Sequence, residues 1–146
     1  MTPTFEHADT DAALSVCFPI IQQLRPQLRT EAEWCARAAA MRPDGYRVLA
    51  CRGGDEIIAL AGYRLQFNLV HGRFLFVNDL VTADGHRGQG WGSKLLDALA
   101  TIAVTSECDR LVLDTAMANL DARRFYRREG LQEVIAGFVK PIERAA

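Results

Sequence analysis

Apolar and polar residues change rhythm several times along this chain, and each change marks a different element. Ala12 to Leu24 reads as a helix with Asp9, Thr10 and Asp11 offering an N-cap ahead of it. Pro19 lies inside it, lacks an N–H and clashes with the preceding turn, so a kink is expected there, and Pro26 ends the helix. Thr30 followed by Glu33 has the spacing of a capping box, which predicts a second helix over Glu31 to Met41, stopped by Pro43. Tyr46 to Cys51, Glu56 to Phe67 and Arg73 to Thr82 are then rich in Val, Ile, Leu, Phe and Tyr. Gly53-Gly54-Asp55 and Asn68 to Gly72 separate them with turn residues, a pattern of antiparallel hairpins. The third run is apolar on both faces except near its end, which predicts a central strand. Leu95, Leu96, Leu99, Ile102 and Ala103 form one apolar stripe on a helix from Gly90 to Val104. A short buried strand over Arg110 to Asp114 follows. Next comes a helix from Leu120 to Glu129, ended by Gly130, with Asp121 at its start and Arg127 and Arg128 at its end, as the helix dipole favours. Val134 to Val139 predicts a last strand.

A length of 146 residues suits one core, so a single domain over 1–146 and one site are expected. The formal net charge of −1 removes the basic field that sequence-independent nucleic-acid binding needs, so an anion would have to be held locally. The first residues have no basic and apolar leader pattern, and no uncharged run approaches the ~18 residues of a membrane span, which predicts a cytoplasmic protein. Cys17, Cys35, Cys51 and Cys108 are far apart with no Cys-x-x-Cys pair. His7, His71 and His86 are equally scattered, so reduced thiols and no metal site are expected.

Gly85, Gly88, Gly90 and Gly92 fall within one eight-residue window between the central strand and an amphipathic helix. Missing side chains there let backbone N–H groups approach an anion at the positive end of the helix dipole, most naturally a phosphate. Lys94 follows Ser93 with neither glycine placed for a P-loop. A dinucleotide site using Gly88, Gly90 and Asp114 stays as an alternative, although too little chain follows Asp114 to complete its parallel strands.

The window Arg87-Gly-Gln-Gly90-Trp-Gly92, with Asn119-Leu-Asp-Ala122-Arg-Arg-Phe125-Tyr126 and Glu129-Gly130-Leu131 after it, resembles the GCN5-related N-acetyltransferase (GNAT) superfamily. Leu131 stands where that family usually has an aromatic residue. The resemblance implies an α/β fold with a mixed, mostly antiparallel central sheet flanked by helices, its fourth and fifth strands splayed to admit acetyl-CoA. It implies that Gly88, Gln89, Gly90, Trp91, Gly92 and Ser93 bind the pyrophosphate with Arg87 at the mouth. Leu80, Val81 and Thr82 would pair with the pantetheine arm, and Asn119 would hydrogen-bond it from the other side. The implied activity is acetyl transfer to a primary amine, with a small molecule, a peptide or a protein as acceptor and the chain acting alone or as a homodimer.

Acetyl transfer to an amine needs a neutral nucleophile, a stabilised oxyanion and a proton for the leaving thiolate. An alkyl ammonium titrates near ~10.4, so a base is required at neutral pH. Asp79, which interrupts the apolar strand just before Leu80, is a candidate for that base and equally for a hydrogen-bonded structural acid. Tyr126, in the motif helix, matches the tyrosine that gives a proton to the departing sulfur in the resembling enzymes. Asn78 and Asp114 are candidates to line the acceptor site. Gln22, Gln23, Arg25, Arg29 and Trp34 stand in the two helices expected to shape it, with Arg25 and Arg29 suited to an acidic substrate. A non-catalytic acyl-CoA sensor is the alternative from a different functional class.

Overall fold

Four β-rich runs and one short polar one assemble into a single five-stranded sheet in the computed structural model, which describes residues 2–144. Its strands are β1 (Thr4–His7), β2 (Arg47–Gly53), β3 (Glu56–Asn68), β4 (Gly72–Thr82) and β5 (Arg110–Leu113), in that spatial order. The first three pairs are antiparallel and only β4–β5 is parallel. A sheet so arranged lacks the consecutive parallel strands of a dinucleotide domain, which removes that alternative. The helices are α1 (Asp11–Leu24), α2 (Glu31–Met41), α3 (Trp91–Thr105) and α4 (Leu120–Arg128). The chain divides into two compact units after Leu113.

In the first unit, period-2 alternation along the strands sorts the core into two faces. Val48, Ala50, Leu60 and Val81 pack with Leu14, Cys17, Ile21 and Trp34 of α1 and α2. Leu49 and Cys51 alternate to the other face, and α3 lies on β3 and β4 with Leu95 and Leu99 fully buried. Trp34 is buried and its indole N–H donates to the Leu14 carbonyl at 2.9 Å, so the largest side chain between α1 and α2 has no unmet polar group.

The helix ends follow the sequence closely. Thr10 caps α1, its Oγ1 accepting from the Ala13 N–H at 3.1 Å. Although Pro19 removes the N–H that would bond the Ser15 carbonyl, α1 is continuous through it, held by burial of Leu14, Cys17 and Ile21. Thr30 caps α2 through the Glu33 N–H at 3.1 Å, but the return arm of the box differs from expectation. The Glu33 carboxylate accepts from the Arg29 N–H, one residue before the cap, at 3.4 Å. β1 has no counterpart in the expected elements, because a four-residue polar strand carries no apolar alternation. All four cysteines are free, and burial pushes the Cys17 thiol up to about 11, which keeps it protonated.

In the second unit, Asn119 caps α4 by accepting from the Ala122 N–H at 3.1 Å. Gly130 ends the helix at φ +92°, and the Leu131 N–H returns to the Tyr126 carbonyl. Glu133 then closes back onto Arg123 at 2.8 and 3.0 Å and onto Arg127. These hydrogen bonds hold its carboxyl well down, to about 2. The strand expected over Val134 to Val139 does not form: among the described residues this stretch has no ladder partner.

Cap and core differ in energetic weight. Thr30→Ala should lower the unfolding free energy by about 1 kcal/mol, whereas Leu99→Ala should cost about 2–5 kcal/mol, both read from urea denaturation midpoints. Equal losses would mean that α3 is not packed as described.

Candidate active site

β4 and β5 share only four paired positions, Phe74–Val77 against Arg110–Leu113. β4 continues to Thr82 with β3 on one side and, among the described residues, no strand paired on the other. The Ala83 N–H bonds the Ile58 carbonyl at 2.8 Å, towards β3. Strand N–H groups alternate between edges, so Val81 also turns to β3, while Leu80 and Thr82 turn to the edge that β5 leaves open. That edge is a row of backbone groups able to pair with an extended ligand.

Beyond β4, a 3-10 turn at Asp84–His86 leads into the glycine window. Gly88 and Gly90 sit at φ +77° and +84°, and a Cβ built on either meets nothing within 4 Å, so the space over the backbone there is open. Gly90 occupies the N-cap of α3 without a side-chain hydrogen bond, and the first turn holds no acidic residue. The unpaired N–H groups and positive dipole end of a 15-residue helix are therefore left for an anion. The Lys94 ammonium lies 4.4 Å from the Trp91 ring centroid, and the Trp91 indole donates to Gln89. Arg87 pairs with Asp84 at 3.1 Å. These residues suit the diphosphate end of a nucleotide-tailed thioester.

Asn78 is an extra residue on β4, a bulge between the Gly62–Asp79 and Tyr63–Val77 pairs. Around it the side chains form a brace. Arg25, just past the end of α1, donates from Nε to Asp79 Oδ1 at 3.0 Å and from Nη2 to the Asn78 carbonyl at 2.9 Å. Tyr46, just before β2, donates its hydroxyl to Asp79 Oδ2 at 2.7 Å. Burial, then the Asp79 charge, pushes the Tyr46 phenol far above its ordinary range, so it remains a donor at every working pH. Gly62 must lack a side chain here, because a Cβ would lie 2.5 Å from Asp79 Oδ2 and 2.6 Å from Tyr46 Cζ. In front of the brace is a cavity of about 400 Å³ between α1, α2 and β4, which Asn78 and Asp79 line from the sheet and Trp34 from α2.

The first unit thus brings Asp79, Leu80–Thr82 and the window 87–93 onto one strand, the loop after it and the first turn of α3. Asn119 and Tyr126 lie in the second unit, Asn119 as the α4 cap and Tyr126 with its ring against Phe125. Of the helix residues expected near the acceptor, Arg25 and Trp34 line the cavity. Gln22 bonds the Leu28 carbonyl, and Gln23 bonds the Asp84 N–H. Tyr46 and Gly62 went unnoticed in the sequence, where nothing local distinguishes a tyrosine or a glycine at a strand. His86 reaches Glu56 at 2.7 Å and ties the window to the start of β3. Among the described residues no group of His, Cys, Asp and Glu is placed to hold a metal ion.

Gly62→Ala should cost about 1–3 kcal/mol by forcing Tyr46 and Asp79 apart, and should cost less in a Tyr46→Phe background, where the hydroxyl is gone. Additive losses in a chemical-denaturation double-mutant cycle would contradict the brace. The hydrogen bond to Glu56 raises the His86 pKa above 6.5. The stability this pair adds is complete below 6.5 and lost as pH rises through the higher folded value. NMR titration of the His86 ring should give a midpoint above 6.5, and Glu56→Gln should lower it.

The sequence matches the Acetyltransferase (GNAT) family over residues 9–131. It is 31% identical over 138 residues to the aminoalkylphosphonate N-acetyltransferase of Salmonella typhimurium, covering 93% of this chain and 89% of that one. Among solved structures, a ribosomal-protein-alanine N-acetyltransferase from Brucella melitensis superposes with a TM-score of 0.81 at 17% identity, covering 97% and 100% of the two chains. AAC(6')-Iy, an aminoglycoside N-acetyltransferase solved with the bisubstrate analogue CoA-S-monomethyl-acetylneamine, gives 0.82 at 14% identity, with 99% and 100% covered. A splayed mixed sheet, an uncapped glycine-rich helix start and a family match spanning most of the sequence lead to one conclusion: the chain belongs to the GNAT acetyltransferase family.

Proposed function

We propose that residues 1–146 act as one N-acetyltransferase domain that moves an acetyl group from acetyl-CoA to the primary amine of a small molecule. The observation that carries this is the open edge of β4 running directly into the uncapped start of α3. An extended arm and its diphosphate need those two features in that order. The 9–131 family match, which crosses the division between the units, supports treating them as one domain. The four free cysteines fit a reducing compartment such as the cytoplasm.

Bound acetyl-CoA would supply the thioester, and the chain would do the rest. The N–H groups of residues 88–93 would hold the pyrophosphate beside Arg87. The outward N–H groups of Leu80 and Thr82 would pair with the pantetheine arm or meet the negative charge developing on the carbonyl oxygen. Asp79 faces the cavity with one lone pair on each oxygen committed to Arg25 and Tyr46. The remaining pairs would take the ammonium proton directly or through a water, and the Arg25 guanidinium beside them disfavours a second cation. From their place in the sequence motif alone, Asn119 is proposed to bond the pantetheine arm and Tyr126 to give the departing sulfur its proton.

Acetyl-CoA should raise the melting temperature, and Gly90→Asp should abolish the shift by placing a carboxylate at the helix start. Tyr126→Phe should lower kcat about a hundredfold with acetyl-CoA affinity nearly unchanged. Asp79→Asn should depress the rate most at low pH and progressively less as the amine deprotonates in solution. A pH-independent ratio, measured where both proteins are folded, would make Asp79 a positioning residue. Tight acetyl-CoA binding with no CoA release from a broad amine panel would favour an acyl-CoA sensor.

A further inference from the structure

We infer that the amine this cavity accepts carries an anion of its own, a carboxylate or phosphonate, held by Arg37 with the unused N–H groups of Arg25; the inference rests on the acetyltransferase reading. Four charged side chains line the cavity, Arg25, Arg37, Glu33 and Asp79, so its formal charge is balanced. They are not equally free. Asp79 is committed to Arg25 and Tyr46, and Glu33 turns back to the Arg29 N–H. Arg37, one turn after Glu33 on α2, has no ion-pair or hydrogen-bond partner among the described residues.

Arg25 is held rigidly by two of its nitrogens, Nε on Asp79 and Nη2 on the Asn78 carbonyl, which leaves Nη1 unused. A guanidinium has five donors in a planar fork, so a fixed Arg25 and an unpaired Arg37 lining one cavity supply donors that carboxylate and phosphonate oxygens accept. On the sheet wall, the Asp79 lone pairs not taken by Arg25 and Tyr46 are left to receive an ammonium. Ile21, Leu28, Trp34 and Met41 supply apolar surface for a short carbon chain, and about 400 Å³ is the small end of ligand pockets. One ammonium and one anion complement this lining. A polycation would set further ammonium groups against two guanidiniums with only Glu33 to receive them.

The test is titration calorimetry of the full chain with saturating CoA at neutral pH, using 3-aminopropanoate, 2-aminoethylphosphonate, propylamine and 1,3-diaminopropane as probes. At least one anionic amine should bind about tenfold or more tightly than propylamine, and the diamine should bind weakest. The two anionic arms tell carboxylate from phosphonate. Arg37→Gln should erase about tenfold of the advantage, Arg37→Lys should restore part of it, and Arg37→Glu should turn the preference towards the diamine. Arg37 is exposed, so these variants should keep the parent melting temperature. Propylamine binding as tightly as both anionic amines, no binding by either anionic amine, or an unchanged preference in Arg37→Gln would overturn the inference. Because binding is read apart from turnover, anionic amines that bind but are never acetylated would count against the acetyltransferase reading alone. Equal kcat/KM for all four amines would count against the anion site alone.

Discussion

Asp79 is the point at which three elements distant in sequence are tied together. Its carboxylate accepts from Arg25 after α1 and from Tyr46 before β2, while Arg25 also holds the carbonyl of the bulged Asn78. A charged group only 13% exposed is costly unless paired, and the pairing here converts that cost into geometry. It fixes the bulge, and the bulge resets the alternation of β4 just before Leu80 to Thr82. The facing of that backbone, the wall of the cavity and the need for Gly62 all depend on this one carboxylate.

The rest of the first unit can be understood as support for that strand. Alternating residues on β2 and β3 bury one face under α1 and α2 and the other under α3. β4 is therefore rigid along most of its length, although one of its edges is bare. Catalytic positions are best held on regular elements rather than loops. On the sheet side of the cavity the irregular backbone is the bulge at Asn78, and the Arg25 side chain satisfies its carbonyl.

Local signals were legible in the sequence, and distant ones were not. Four glycines in one window, the Thr10 and Thr30 caps and Gly130 at a helix end correspond to short stretches that determine their own geometry, whereas the splayed mixed sheet was legible only through the family resemblance of the motif pair. The partners of Asp79 lie 54 and 33 residues away, and no spacing announces them. The Asp79 identity itself was readable, but whether it meets solvent or a guanidinium depends on packing. β1 escaped because its pairing with β2, rather than its own pattern, makes it a strand. Val134 to Val139 shows the reverse: its composition favours a strand, yet strands exist only where a neighbouring backbone completes the ladder.

The bare start of α3 has a consequence for how this protein could be changed. A Ser, Thr or Asp cap is worth about 1 kcal/mol to a helix, and the chain forgoes it at Gly90, where the backbone also adopts a left-handed conformation that most residues resist. Capping this helix by replacing Gly90 would strain the backbone as well as fill the space left for an anion. Engineering that aims at a hardier protein should therefore leave residues 88–92 alone and seek its gains at exposed positions of α1 and α2 away from the cavity.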